Sequence, residues 1–315
     1  MATSTGEALD GPDLLNKVSS AVLAQGSWTV NYFGPDPSNV ANTTLNISGG
    51  GKFFNFMAVP SLEQIWLSIS TAYSSGADWG THPDDSKIAG INTTVSDVRS
   101  SGIPSYWTYI TSDYVHVIHE VESKVYSHFG CGVLEKFGSY VGGEYVYGHY
   151  LSSGWRSNVF REDNNLMFTS IWGTRYNGIS GAVRADFDGM SPNYLMIGGH
   201  YAANYSARGT MCYTYVHPNY INGLYVGLWD DGPSADSGRE HMFPIIVYAQ
   251  KKVNPDDPVY YNYPIGQVKG MLNIDIENLA PEDVVYDDWK VFPLIAKNGV
   301  GWSSQNFAVA YNENA

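Results

Sequence analysis

Residues 114–151, YVHVIHEVESKVYSHFGCGVLEKFGSYVGGEYVYGHYL, decide the fold class. Val115, Val117, Val121 and Val125 recur among Tyr, His and Glu, and Tyr126, Phe129, Val133, Leu134, Phe137, Tyr140 and Val141 continue the run. Branched and aromatic side chains fit a pleated surface and glycines let the chain turn, so the stretch is predicted to form strands folded back on one another. Gly130-Cys131-Gly132 reads as the corner between two strands, and Gly142-Gly143 as a sheet bend or bulge.

The whole chain shares this character. Its 315 residues suffice for one large β domain or two ordinary ones. With 24 Tyr, 12 Phe, 9 Trp, 33 Gly and 15 Pro, the composition favours strands and turns over long helices. A net charge of −14, from 17 basic and 31 acidic residues, argues against direct binding of nucleic acid, which needs clustered Lys and Arg. The acidity is expected to keep an aromatic-rich chain soluble until it meets a partner. Cys131 and Cys212 lie far apart with no Cys-x-x-Cys, and both read as reduced and structural. The first residues contain neither a basic n-region nor an apolar h-region, and no apolar run approaches the roughly 18 residues of a membrane span. The expectation is a chain without signal peptide or membrane span, made in the cytoplasm, in which the Asn-x-Ser/Thr matches at Asn42, Asn46, Asn92 and Asn204 are chance.

Working outward, Asp10 to Ala24 has helical spacing in Leu14, Leu15, Val18, Ala21 and Val22, with a carboxylate to cap it and Gln25-Gly26 to end it. Trp28 to Phe33 reads as a strand closed by the turn Gly34-Pro35-Asp36-Pro37. A hairpin is expected around Gly49-Gly50-Gly51, and Ile65 to Thr71 alternates as a half-buried strand. From Tyr73 to Pro104 the chain is rich in turn residues and reads as a long exposed loop, a candidate contact arm. Later strands are expected at 106–110, 114–121, 183–187, 194–197, 211–216, 224–228, 243–249, 268–276 and 307–311, with residues 152–181 an irregular excursion and 230–240 a loop. The fold class is therefore mainly β: an antiparallel β-sandwich-like body with one N-terminal helix and long loops. Residues 1–103 would carry the helix, the first strands and the loop, and 104–315 the β-rich body, the two being separate or continuous as a single domain.

No constellation of catalytic residues emerges. His116 and His119 are separated by i,i+3, which on a strand directs them to opposite faces, and the helical zinc motif needs i,i+4. His128, His149 and His200 read as packed or turn histidines. Asp230, Asp231, Asp236 and Glu240 lack an EF-hand spacing, and Asp275 and Glu277 are alternate residues of one strand. Gly-x-Ser-x-Gly, the P-loop and the dinucleotide fingerprint are absent from the sequence. Neither a cofactor nor a metal is expected.

The stretch HVIHEVESKVYSHFGCGVLEKFGSYVGGEY, with its His-Phe-Gly, Gly-x-Leu-x-Lys-Phe-Gly and Gly-Gly, resembles virion structural proteins of tailed bacteriophages. The closing WKVFPLIAKNGVGWSSQNFAVAY is similar to the C-termini of such proteins, and the helix ending at Gly26-Ser27-Trp28 and the loop carrying Tyr73 to Trp79 and Pro83 fit the same group. The resemblance lies in scattered patches and carries no catalytic residues. It implies a non-enzymatic component of the particle, in the tail or baseplate, whose partners are other virion proteins and symmetry-related copies. Trp79 and His82 in the long loop, Trp155 and Trp172 in the irregular middle, and Trp229 near the acidic loop are the candidate interface residues. Two alternatives stand beside this: a carbohydrate-binding module of the tail that recognises a host-surface glycan, and a polysaccharide-degrading tail enzyme, for which a long parallel β-helix pattern is missing.

Overall fold

The computed structural model describes residues 1–86, 94–99, 101–148, 181–186, 194–197, 210–214, 242–252, 260–275, 279–293 and 307–314. The protein is mainly β, with antiparallel sheets and a single α-helix among these residues.

Helix α1 (Gly11–Gln25) forms where capping and apolar spacing coincide. The Asp10 carboxylate accepts the Asp13 N–H at 2.9 Å, satisfying an orphan donor of the first turn, and the Asp13 carboxylate reaches back to the N–H of Leu9, just ahead of the cap, at 3.0 Å. Leu14, Leu15, Val18, Ala21 and Val22 are buried along one stripe, and Gly26 ends the helix in the left-handed conformation.

The smaller sheet runs in the order β2 (Thr29–Asp36), β3 (Asn39–Gly49), β4 (Lys52–Val59), β5 (Gln64–Ser70), β6 (Thr94–Asp97). One face, carrying Leu45, Ile47, Phe54, Phe56, Ile65, Leu67 and Ile69, shares a core with α1. Strand β2 continues through Gly34 and Pro35 to Asp36, past the turn expected there. It is an outer strand of this sheet, a position where the N–H that proline lacks is dispensable.

The larger sheet begins at β1 (Ala2–Ala8) and proceeds through β7 (Ile103–Ile110), β8 (Tyr114–Glu122), β9 (Val125–Val133), β11 (Val141–Gly148), β12 (Gly181–Asp186), β13 (Tyr194–Ile197), β14 (Thr210–Thr214), β15 (Met242–Lys252), β16 (Tyr260–Asp275), β19 (Phe307–Asn312), β18 (Trp289–Pro293) and β17 (Val284–Val285). The short β10 (Glu135–Lys136) also pairs with β16. Every pairing is antiparallel except β13 with β14. The sheet folds over itself. A second core joins Trp107, Tyr126, Tyr145 and Tyr147 of its first half to Ile245, Val268, Met271, Phe292 and Tyr311 of its second.

Strands β7 to β12 thus form a middle layer, with α1 and the smaller sheet on one side and β15 to β19 on the other. Strand alternation divides its side chains: Val115, Val117, Phe129, Cys131, Val146 and Ala182 meet α1 and the smaller sheet, while Tyr114, Ile118, Tyr126, Tyr145 and Tyr147 meet the far layer. Burial along β8 and β9 is nearly continuous, as expected for strands covered on both faces. Gly130-Cys131-Gly132 is not a corner. It lies inside β9, and the chain turns earlier, at Ser123-Lys124. The glycines make room for close neighbours: a Cβ on Gly130 would lie 2.4 Å from the Val115 carbonyl oxygen and 2.9 Å from the Tyr147 hydroxyl, and one on Gly132 2.7 Å from the Tyr145 hydroxyl.

The first core contains residues on both sides of position 103, from Leu14 and Phe54 to Val146 and Ala182, and β1 pairs with β7 across the same point. The N-terminal helix and strands therefore share their interior with the start of the β-rich body.

Candidate functional site

The first part of the long loop after β5, residues 71–86, is held to the sheet at two points. The Thr71 N–H donates to the Pro83 carbonyl at 3.0 Å and the Ser86 N–H to the Ile69 carbonyl at 2.8 Å, folding residues 71–86 back onto the smaller sheet. The face they cover is polar: Asn46, Asn55, Ser68 and Ser70 are all buried. Cross-strand register aligns Asn46, Asn55 and Ser68. Asn31 donates to Asn46 at 2.7 Å, Asn46 donates to Asn55, and Asn55 donates to the Asp85 carboxylate at 3.0 Å. The Ser68 hydroxyl adds a bond to the same carboxylate at 2.8 Å. Asp85 is fully buried, and these donors offset the cost of placing it there. Strand β5, expected to be half-buried, is covered on both faces.

Within this loop Trp79 is 2% exposed and His82 1% exposed. Trp79 packs with Met57, Val59 and Trp66, the Trp66 ring 5.7 Å away, and the Trp79 backbone N–H donates to the Asp36 carboxylate at 2.8 Å. Burial raises the Asp36 carboxyl pKa, but donors from Ser38, Trp79 and Thr44 outweigh it and hold the group below its ordinary value. His82 accepts the Ser74 N–H at 3.3 Å beside the Tyr73 ring; burial lowers its pKa, opposed in part by the Asp36 charge. Residues 71–86 of the expected contact arm thus cover the polar face, Thr94–Asp97 of it form β6, and Trp79 and His82, two of the five candidate interface residues, are packed inside their own chain. Trp155, Trp172 and Trp229 lie outside the described residues, as do His149, His200 and the acidic cluster of 230–240.

His116 and His119 point to opposite faces of β8, as alternation requires, His116 toward the far layer and His119 against Phe129. The His116 Nε2–H donates to the Lys269 carbonyl at 2.9 Å, which leaves Nδ1 to accept the Tyr147 hydroxyl at 2.8 Å. His128 repeats the arrangement, donating from Nε2 to the Pro293 carbonyl at 3.3 Å and accepting the Tyr311 hydroxyl on Nδ1 at 2.9 Å. Each imidazole ties the middle layer to the far one. Burial pushes His116 down to about 3 and the Cys131 thiol well up, so the histidine stays neutral and the thiol protonated near neutral pH. Among the described residues no group of three or more His, Cys, Asp or Glu converges as metal ligands would. Of the Asn-x-Ser/Thr sites, Asn42 and Asn46 are buried, and Asn92 and Asn204 lie outside the described residues.

The surface offers a different candidate. Strand β1 is an outer strand of the larger sheet and β2 of the smaller, and both pack against α1. Two sheet edges with no further strand among the described residues therefore flank one helix. Several exposed apolar side chains belong to the same elements: Met1 ahead of β1, Leu9 and Leu23 before and on α1, Phe33 on β2 and Val40 on β3. Sequence reading missed β1 because ATSTGEA is polar and lacks alternation; its pairing rests on backbone bonds and on the Ser4 and Thr108 hydroxyls, 2.7 Å apart.

These features define a layered, mainly β protein whose two outer strands beside the helix have no further neighbour among the described residues. No protein-family model matches the chain, and a search of curated proteins finds no match. No helix among the described residues is long and apolar enough to cross a membrane.

Proposed function

We propose that the chain is a non-enzymatic structural subunit of a tailed-bacteriophage virion, placed in the tail or baseplate and assembled in the host cytoplasm, whose work is contact with neighbouring subunits. The observation that carries this reading is the pair of outer strands, β1 and β2, on either side of α1, neither with a further strand beside it among the described residues. An outer strand presents a row of backbone donors and acceptors that a strand from another chain can complete, and exposed apolar side chains beside it add burial on contact. The resemblance to virion proteins supports the same reading. Its main patch is the middle layer, and its closing patch contains β18 and β19, which cover that layer. A rigid stack of this kind holds its edges in a fixed relation, as a subunit needs when it joins symmetry-related copies and other virion proteins.

Quantitative mass spectrometry of purified particles tests this. The chain is expected among the virion proteins at a stoichiometry matching a tail or baseplate symmetry; its absence from intact, infectious particles would sink the proposal.

A further inference from the structure

The polar row beneath residues 71–86 contains the parts of an acyl-transfer site. Asn55 of β4 and Ser68 of β5 are register partners on one face of the smaller sheet, which sets their Cβ atoms roughly 4.5–5.5 Å apart. Both are buried, and so is Asp85 of the covering segment. The Asp85 Oδ2 atom accepts the Ser68 hydroxyl at 2.8 Å and an Asn55 Nδ2–H at 3.0 Å. One carboxylate oxygen therefore touches both a hydroxyl and an amide nitrogen, and these two lie 3.2 Å from each other. At the other end of the same amide, the Asn46 Nδ2–H donates to Asn55 Oδ1.

Each group suits one task. A carboxylate on a hydroxyl is a general base for a serine nucleophile, and a donor on a carbonyl oxygen polarises it and stabilises the oxyanion that forms under attack. Asn46 is held in place for this by Asn31, whose amide donates to its oxygen at 2.7 Å. The Ser70 hydroxyl also lies 3.2 Å from Asn55 Nδ2, but it donates to the Ala72 carbonyl at 3.0 Å, so Ser68 is the hydroxyl directed at the carboxylate. Burial keeps bulk water from competing as the nucleophile, and the strand pairing holds hydroxyl and amide together without cost at the moment of reaction.

We propose that this site closes an intramolecular ester between Ser68 and Asn55, in a single turnover of the chain upon itself. Asp85 takes the Ser68 hydroxyl proton as Oγ swings from the edge of the Asn55 amide to its face and bonds to Cγ. The electron pair of the carbonyl moves onto Oδ1, where the Asn46 amide stabilises it. Collapse re-forms the carbonyl and breaks the Cγ–Nδ2 bond, and Asp85 passes its proton to the departing nitrogen, which leaves as ammonia. One hydroxyl and one amide are consumed, one ester and one ammonia are formed, and Asp85 is restored; no co-reactant enters. Escape of ammonia draws the exchange forward, and the product fastens β4 to β5 across the sheet.

The reaction is independent of any role in assembly, because it is read on the purified chain and particle membership is read on virions. Trypsin releases residues 53–87 as one peptide, since no Lys or Arg lies between Lys52 and Lys87, and Asn55 is its only asparagine. Mass spectrometry of this peptide from the folded parent chain is expected to show a mass lower than its sequence by one ammonia, with no backbone fragments separating residues 55 and 68. Hydroxylamine, which cleaves esters, is expected to abolish the deficit. In Ser68→Ala the peptide is expected at the full mass of its own sequence, and in Ser70→Ala the deficit is expected to remain; a urea melt confirms that each variant folds. A parent peptide of full mass, or one whose Asn55 is hydrolysed to aspartate, overturns the proposal, and so does a deficit that survives in Ser68→Ala or is lost in folded Ser70→Ala.

Discussion

His116 links the chemistry of one residue to the stability of the whole. Its ordinary pKa is 6.5, and in the folded chain burial pushes it down to about 3, the Lys269 carbonyl opposing only in part. A base whose folded pKa lies below its unfolded one binds fewer protons when folded, so its contribution is complete above pH 6.5 and is lost as pH falls from there toward 3. His82 is displaced in the same direction by burial. Urea midpoints measured across this range are expected to fall with acidification. In His116→Phe the protein is less stable throughout, because the Tyr147 hydroxyl and Lys269 carbonyl lose their partner, but the curve is flatter between pH 6.5 and pH 3. A steep curve of unchanged slope in that variant would show that other groups govern the acid limit. Glycine 132 gives a second test at this scale. Gly132→Ala forces a methyl against the Tyr145 hydroxyl and is expected to cost about 1–3 kcal/mol by chemical denaturation.

Among the elements, the loop of residues 71–86 has the clearest energetic signature. Trp79→Ala removes a buried indole from between Trp66, Met57 and Val59 and is expected to destabilise the protein by about 3–5 kcal/mol, with new protease cuts inside the loop. Asn55→Ala leaves the buried Asp85 carboxylate short of a donor and is expected to cost about 1–3 kcal/mol in the same denaturation assay. Strand character was legible in this sequence wherever Val, Ile, Phe and Tyr alternate, which is why β4, β5, β8 and β19 stand close to where alternation puts them, and α1 announces itself through Asp10 and its apolar stripe. Strand β1 was illegible because an outer strand held by backbone bonds needs no apolar face. The Gly130-Cys131-Gly132 misreading has a related cause. Glycine marks a turn locally, but here it answers the Tyr145 and Tyr147 rings of the neighbouring strand, a requirement that no short window contains. Trp79 and His82 belong to the segment that covers the Asn46, Asn55 and Ser68 row, whose polar alternation is visible in sequence while its cover by Asp85 is not.

On the scale of the whole molecule, the middle layer is the feature that everything else serves. It is covered on one side by α1 and the smaller sheet and on the other by β15 to β19, and the His116 and His128 bonds to Lys269 and Pro293 join the last two layers. Deleting residues 1–8 removes the strand that covers the edge of β7; a loss of solubility and a lower urea midpoint are expected, read by light scattering and denaturation against the full chain. The mingling of early and late residues in the first core also bears on how the chain is made. Leu14, Phe54 and Ile65 complete their packing only against Val115, Phe129, Val146 and Ala182. On the ribosome, the helix and the first hairpins therefore wait, with apolar faces uncovered, until residue 182 has left the exit tunnel, a delay of roughly 6–30 s at typical elongation rates. Synthesis of this chain is thus a period of exposure to chaperones that ends only when its middle strands emerge.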